Sequence, residues 1–471
     1  MFQTSILQDE HIEPLAESVC RVLAEVGVLC QNDELLEALQ DWGAEVDFST
    51  EMVRFPADRV AAFVEGLRQE DAAAKGTRGE RFVPPSIPGV GTQIAQLYHD
   101  YPSNTLRSSC REDFIFLTKL GSMLHPQEAV GHSLSMTDVP PVLEPLQAGL
   151  LLAEYAYKPG QPFIWRVDQA EYMREMGAIL GLGDWFTYGA VCFAHPLRFD
   201  RDTAGKFVRR VKEGVPTGIT AMPVAGVSTP VTVEGFVVVA TAENVATWIA
   251  ARALNPQVEL AGSMWAGTVD MKTGAVSYSA PDAMYYAFAA VEFMRRWCRI
   301  NIPVGSGDYC DAKVPGLYTA LEKAYKSMTV SAFTGRPAAA GGGLIDEGKA
   351  LSAVQLLLDR EFASATASLH SEFDPSDENI AMPAILEVGT GFSTNHMETE
   401  HTLRNFRSSL WLPQIIHRAG WGGCEGEKAV LDRVQATIED LVSRYEKPAG
   451  REEQLIELRK VYEKARQELV R

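Results

Sequence analysis

Two stretches decide how this chain reads: residues 308–327, DYCDAKVPGLYTALEKAYKS, and residues 336–369, RPAAAGGGLIDEGKALSAVQLLLDREFASATASL. Each opens on acidic, aromatic or glycine-rich residues and runs into a segment with helical apolar spacing. A short apolar strand, such a junction and then a helix make one βα unit. In a β/α architecture the chemistry sits at those junctions, just past the strand ends.

The same cadence extends upstream. Candidate strands are Ala129–Ser133, Pro162–Arg166, Tyr188–Phe193, Gly218–Met222, Glu259–Met264, Asn301–Val304 and Pro337–Ala340. Helical patterns over Arg111–Met123, Ala170–Gly181, Thr203–Glu213, Val233–Leu254, Pro281–Arg296 and Leu317–Ala332 separate most of them. Strands spaced by roughly 25 to 45 residues predict an α/β fold, a (β/α)8 TIM barrel spanning residues 101–425. Before it, residues 1–100 read as a small α+β cap. It holds two helices in Glu10–Asp41, a strand at Glu51–Arg54 and a helix from Phe55 with Pro56 near its start. The Gly- and Pro-rich run inside Asp71–Gly91 reads as a linker or hairpin. After the barrel, residues 426–471 predict helices over Ala429–Tyr445 and Arg451–Val470. They are expected to pack on the barrel flank or on another subunit of a homo-oligomer.

The chain has 471 residues, 46% of them hydrophobic and 22% charged, an ordinary globular balance able to bury a large core. The apolar run Gly235–Leu254 is interrupted by Glu243, Asn244 and Arg252, and the first residues lack the layout of a secretory signal. A cytoplasmic protein without a membrane span is expected. Seven cysteines without a C-x-x-C pair support neither a zinc knuckle nor a disulfide framework. The net charge of −19 argues against a nucleic-acid partner and favours a cationic or neutral ligand.

Residues expected just past the strand ends form the candidate substrate site. They are Trp165, Phe193, His195, Trp265, Asp308, Tyr309 and Asp311, joined by Tyr318, by Gly342 and Gly343, and by Glu361 and His370 further on. Large aromatics and acids dominate, and no catalytic nucleophile or base stands out. Each residue has a plainer reading. The tryptophans can be core, His195 a satisfied loop histidine, and the aspartates helix caps. The glycines lean most to function, since they let backbone approach a ligand closely. H-E-x-x-H, G-x-S-x-G, S-x-x-K, G-x-G-x-x-G and Walker motifs are absent, and the scattered histidines do not argue a metal site.

The run Met222-Pro223-Val224-Ala225-Gly226, with Thr229-Pro230-Val231-Thr232 and Gly235, resembles the central segment of the trimethylamine methyltransferase family. Asp311-Ala312-Lys313 with Glu322-Lys323, and Gly342-Gly343-Leu344 with Ser352 and Leu358-Asp359-Arg360-Glu361, resemble it too. So do His401-Thr402, Phe406-Arg407, Trp411 and Pro413, and upstream Asp138-Val139-Pro140 and Lys158-Pro159. The resemblance covers residues 100–425. It implies a β/α barrel that passes a methyl group from a methylated amine to the Co(I) corrinoid (cobalamin) of a separate corrinoid-binding protein. Ordinary residues run through the region where trimethylamine-using members carry pyrrolysine. The chain is therefore similar to the non-pyrrolysine branch, which demethylates quaternary amines such as glycine betaine. Gly316 and Tyr318 depart from the aspartate and glutamine often found there, which leaves the substrate open.

The residues agree with that chemistry. A quaternary ammonium has no N–H, so it is recognised by aromatic faces and negative charge, each cation–π contact contributing roughly 0.5–2 kcal/mol. Asp308, Asp311 and Glu361 are candidates for the charge, and His195 or His370 for a substrate carboxylate. No D-x-H-x-x-G corrinoid motif is present; Asp9-Glu10-His11 comes nearest and lacks the glycine. Competing readings are a divalent-metal lyase using Asp308, Asp311 and Glu361, a non-catalytic betaine or amine binder, and methyl transfer directly to tetrahydrofolate.

Overall fold

Helices form where the sequence supplies caps and helical spacing, and they dominate the architecture. The computed structural model describes residues 5–74, 87–305, 307–336, 338, 341–369, 373–418, 420–423 and 425–470. At the N-terminus, α1 (Ile12–Arg21) buries Leu15, Ala16 and Val19, and β1 (Val28–Cys30) follows it. The Asn32 side chain accepts from Leu35 N and so caps α2 (Asp33–Trp42). Then come β2 (Glu45–Asp47), β3 (Met52–Arg54) and α3 (Ala57–Ala74).

The middle of the chain begins with a hairpin, β4 (Leu97–Asp100) and β5 (Thr105–Ser108), followed by α4 (Arg111–Leu124), α5 (Glu144–Tyr155) and α6 (Ala170–Leu180). Next are β6 (Arg198–Phe199), α7 (Arg201–Lys212), β7 (Thr220–Ala221), β8 (Val224–Ala225) and α8 (Val233–Leu254). Among the described residues α8 is the one helix long and apolar enough to cross a membrane, and 72% of that stretch is buried in the protein. Buried over most of its length, it is a core helix here. Three short strands, β9 (Ser263–Met264), β10 (Gly267–Val269) and β11 (Val276–Ser277), precede α9 (Pro281–Trp297) and α10 (Leu317–Thr334). A second hairpin, β12 (Leu344–Ile345) and β13 (Ala350–Leu351), leads into α11 (Ala353–Ser368). The chain ends with α12 (Asp377–Ile380), α13 (Met382–Val388), α14 (Glu400–Ser409), α15 (Glu427–Ser443) and α16 (Glu452–Leu469).

The expected (β/α)8 TIM barrel is not what the strands build. They form separate open sheets of mixed direction, in the orders β2-β3-β1-β6, β11-β10-β8, β12-β13-β4-β5 and β7-β9, and no closed barrel is seen among the described residues. The βα cadence persists as parallel contacts one or two residues long: Ala95 to Leu134, Val130 to Pro159, Phe163 to Thr187, β7 to β9, and Met264 to Val304. The physical reason lies in the strands themselves. Pro162, Gly189, Gly218, Gly262 and Pro303 fall inside or beside the expected runs, removing donors and loosening the backbone where a continuous ladder would need both. Antiparallel hairpins β4–β5, β10–β11 and β12–β13 add strands that the cadence did not predict. The strand expected at 337–340 and much of the expected linker, residues 75–86, lie outside the described residues, residue 338 excepted.

Two large apolar cores result. One joins α1, α2 and α3 to side chains of α7, α8, α9 and α10. The other joins α4, α5, α6 and α11 to Leu431, Val434 and Ile438 of α15 and to Leu455, Leu458 and Val461 of α16. Hairpin β12–β13 and the 310–312 segment sit beside these cores and share a small apolar cluster.

Candidate functional site

The tip of hairpin β12–β13 is the unusual piece of backbone. Asp346, Glu347 and Gly348 all have positive φ (50°, 53° and 81°), and Gly348 N–H donates to Ile345 O at 3.2 Å. A left-handed residue other than glycine costs roughly 1–2 kcal/mol, and asparagine, aspartate or glycine is the usual occupant. A glutamate held there is the kind of strain that gathers at functional sites. The tip is pinned from below: Asp346 N–H donates to Ala312 O and Glu347 N–H to Cys310 O, each at 2.8 Å. Gly348 lies flat on Tyr309, whose Cε1 would be 2.2 Å from any Cβ added there.

This geometry drives the Glu347 side chain inward, to 6% exposure. Its carboxyl receives Ser279 Oγ at 3.2 Å and Ser277 Oγ at 3.3 Å, and it is hydrogen-bonded to Asp311. Ser277 Oγ also donates to Asp311 Oδ2 at 2.7 Å. Burial, then the bond to Asp311, pushes the Glu347 carboxyl up to about 8, so at neutral pH this acid holds its proton. Lys326 reaches the same cluster from α10 at 1% exposure; its Nζ donates to Tyr278 O at 2.8 Å and lies 5.5 Å above the Trp265 ring. Burial lowers its affinity for a proton, opposed by the nearby Glu347, Asp308 and Asp311. Trp265 and Tyr309 meet at 4.7 Å and 44°, two walls of an aromatic corner. Burial, then Asp308, raises the Tyr309 phenol to about 12.

A second polar layer supports this one. Lys323 Nζ lies 2.6 Å from Asp359 Oδ2, with both side chains buried. Gly343 N–H donates to the same oxygen at 2.8 Å, and Gln355 Nε2 to the other at 2.7 Å. Gly341, at φ 55°, passes so close that a Cβ would stand 2.3 Å from Asp359 Oδ2. Glu322 Oε2 accepts Ala312 N–H at 2.9 Å and holds the 310–312 segment to α10.

Of the residues singled out in the sequence, Trp265, Asp308, Tyr309 and Asp311 belong to this cluster, since all four interact with Lys326, Glu347 or each other. Gly343 belongs to the supporting layer, and Gly342 lies near Thr92, whose Oγ1 would be 3.3 Å from an added Cβ. Others are committed elsewhere. Trp165 is exposed, and its Nε1 donates to Glu144 Oε2 at 2.9 Å. Phe193 packs in the core against Phe199 and Phe207, at 4.8 and 5.7 Å. His195 has both ring nitrogens engaged: Nε2 accepts Met222 N–H at 3.0 Å, which leaves Nδ1 to donate to Glu243 at 2.8 Å. Tyr318 is exposed on α10. Glu361 Oε1 accepts three backbone N–H groups, from Gln414, Ile415 and Ile416, at 2.9, 3.0 and 3.2 Å. His370 lies outside the described residues.

The trio Asp308, Asp311 and Glu361 is therefore not assembled as a metal set, and no group of three potential metal-binding side chains occurs among the described residues. Sequence reading missed Glu347, Lys326, Ser277 and Ser279. A cue was present for one of them, in the acidic pair Asp346-Glu347 followed by Gly348 between two apolar segments, which signals a tight turn.

Comparison with known proteins agrees with the motifs. The model of the family described as trimethylamine methyltransferase (MTTB) matches residues 1–469. The trimethylamine methyltransferase MttB of Methanosarcina barkeri is 22% identical over 258 residues, 54% of this chain and 51% of that protein. The chain thus spans about half the length of the first curated relatives it matches. The glycine betaine methyltransferase of Desulfitobacterium hafniense (strain Y51) is 20% identical over 461 residues, 94% of each chain. From its first strand to its last helix, the chain belongs to the trimethylamine methyltransferase family.

Proposed function

We propose that this chain is a methyltransferase of the non-pyrrolysine branch. It takes a methyl group from a quaternary amine, glycine betaine or a related betaine, and passes it to the Co(I) corrinoid of a partner protein. The observation that carries this reading is the aromatic corner of Trp265 and Tyr309 set beside Asp308, Asp311 and Glu347. Aromatic faces backed by carboxylates recognise a cation that has no N–H to offer. Lys326 brings its Nζ to the same cluster, where burial lowers its affinity for a proton and the nearby acids oppose that; in its protonated form it would suit a zwitterion better than a simple cation. His195, with both nitrogens engaged, does not serve a substrate carboxylate.

The corrinoid enters as the methyl acceptor, a substrate that arrives on its carrier and supplies a two-electron nucleophile. The chain's own residues bind the ammonium, orient one methyl group and keep water out. A quaternary nitrogen leaves as a neutral amine and needs no proton, so positioning and desolvation carry the rate. The Glu347 proton has a different use. A fixed positive charge favours the ionised form of Glu347, so substrate entry expels that proton. By reciprocity, affinity rises with pH up to about 8. A cytoplasmic setting goes with a reduced acceptor.

The test mixes the protein with reduced Co(I) cobalamin and adds glycine betaine last. Loss of the Co(I) absorption with growth of the methylcobalamin spectrum is expected. Betaine binding without methyl transfer to cobalamin or tetrahydrofolate would leave a binding protein. Methylation of tetrahydrofolate in the absence of cobalamin would move the acceptor.

A further inference from the structure

Between the C-terminal ends of α9 and α10 lies a cavity of about 220 Å³. Val291 lines it from α9, Val330 and Phe333 from α10, and Ile302 and Val304 from the segment that runs on toward Asp308. All five are buried, so the walls are apolar. Phe333 is fixed there by stacking on Phe288 of α9, with ring centroids 4.1 Å apart and planes at 12°. The cavity stands apart from the Glu347 cluster. Val291 and Arg295 lie roughly three to four turns along α9 from Ser279, about 18–24 Å of rise. Lys326, which is nearer along α10, is committed to Tyr278 O.

The mouth of this cavity is cationic. Arg295 of α9 and Arg336, just past the end of α10, line it together with Asn301, and all three are exposed. Among the described residues, neither guanidinium nor the Asn301 amide has a hydrogen-bond or ion-pair partner. Acidic residues outnumber basic ones by 62 to 43, so unpaired arginines do not reflect a shortage of acids. The next residue on α9 shows the ordinary outcome: Arg296 pairs with Glu292 and Asp9 and donates to Leu7 O. Glu292 is the one acid among the described lining residues, and it is spent. It accepts Ser5 Oγ and Ile6 N–H, each at 2.6 Å, as well as Arg296. Two helix C-termini explain why positive residues stand here. They do not occupy them, since neither guanidinium donates to a carbonyl among the described residues.

We propose that this cavity binds a small organic anion, its carboxylate or phosphate held by Arg295 and Arg336 and its apolar body laid against Val291, Val330 and Phe333. Arginine forks match the paired oxygens of either head group. The cavity is smaller than the ~300–1,000 Å³ pockets that take drug-sized ligands, so the body is a single ring or a short branched chain. A betaine does not meet these terms. Its permanent cation would lie beside two arginines, with the lining acid already bonded. The anion site is thus separate, in place and in charge, from the corner of Trp265 and Tyr309, whichever amine that corner takes.

The full-length protein is titrated by calorimetry with benzoate, phenyl phosphate, inorganic phosphate and uncharged benzamide. Benzoate or phenyl phosphate is expected to bind at one site per chain, and the tighter of the two identifies the head group. Benzamide lacks the charge and inorganic phosphate lacks the body, so each should bind at least tenfold more weakly. Arg295→Gln and Arg336→Gln should each weaken the organic anion at least tenfold, and Arg295→Lys and Arg336→Lys should weaken it less. Circular dichroism should stay unchanged in all four, since both positions are exposed. Trp265→Ala should bind the anion as wild type does. No binding of either organic anion, or binding indifferent to both glutamines, would overturn the proposal. So would benzamide or inorganic phosphate binding as tightly as the organic anions, or loss of the anion in a folded Trp265→Ala.

Discussion

Lys323 and Lys326 stand one helical turn apart on α10, equally buried, and differ in what faces them. Lys323 meets Asp359, and the remaining valences of that carboxylate are filled by Gly343 N–H and Gln355 Nε2. Lys326 reaches a carbonyl and a tryptophan face, while the nearby acids Glu347 and Asp311 are hydrogen-bonded to each other. The first arrangement is closed: lysine and carboxyl are bonded to each other, and burial pushes the Asp359 carboxyl up against the pull of Lys323. The second holds its negative charge in reserve, and a permanent cation can call it out. A buried lysine by itself thus says little about function. What decides is whether its carboxylates are already matched.

The largest effect expected on this contrast comes from breaking the closed pair. Lys323→Ala leaves Asp359 buried without its counter-charge, and removing one partner of a buried pair costs roughly 3–5 kcal/mol. Urea unfolding should show that loss. A Lys323→Met variant as stable as wild type would show that Asp359 does not need the charge.

Next, Glu347→Gln copies the protonated acid without its proton. Between its ordinary value of 4.5 and about 8 the native chain keeps a proton that the unfolded chain has released. This group therefore lowers stability as pH rises through that window, by at most about 1.4 kcal/mol per pH unit. Glu347→Gln should remove that component, flattening the difference between variant and wild type below pH 4.5 and widening it toward pH 8 in favour of the variant. Betaine binding by calorimetry should weaken at least tenfold, ~1.4 kcal/mol, and lose its rise with pH. Buffers of different ionisation enthalpy should show proton release in the wild type only.

The aromatic corner comes third. Trp265→Ala should weaken binding of glycine betaine by roughly 0.5–2 kcal/mol, while leaving the uncharged tert-butyl analogue less affected. Equal losses for both ligands would make Trp265 a shape contact rather than a cation contact. The smallest effect is expected at Tyr318, exposed on α10: Tyr318→Ala should change betaine affinity by no more than about 0.5 kcal/mol.

The helices were legible because caps and spacing are local properties. Val233–Leu254 is the same in sequence and structure, and Asn32 caps α2. The closed barrel was not, because whether short parallel segments join depends on neighbours far along the chain, and the prolines and glycines within them act against long ladders. At α10 the extent was readable and the orientation was not. Leu317, Leu321 and Met328 have the spacing of a core face, and the ordinary inference buries them. The structure buries Glu322, Lys323 and Lys326 instead, a choice that depends on Asp359 and Glu347 waiting in other segments. Asp308, Asp311, Tyr309 and Trp265 could be named as candidates because junction residues of that chemistry are few. Glu347 was passed over because nothing in Ile345-Asp346-Glu347-Gly348 tells which side chain of a turn points inward.

The left-handed turn at Asp346–Gly348 also has a consequence for heredity. Glycine or asparagine at position 347 would relieve the backbone there, and loss of a buried acid would add to the gain. In a library selected for heat resistance alone, such replacements should accumulate at this position early. The lineages that accepted them would be sturdier and would have discarded the buried acid at the tip of the hairpin.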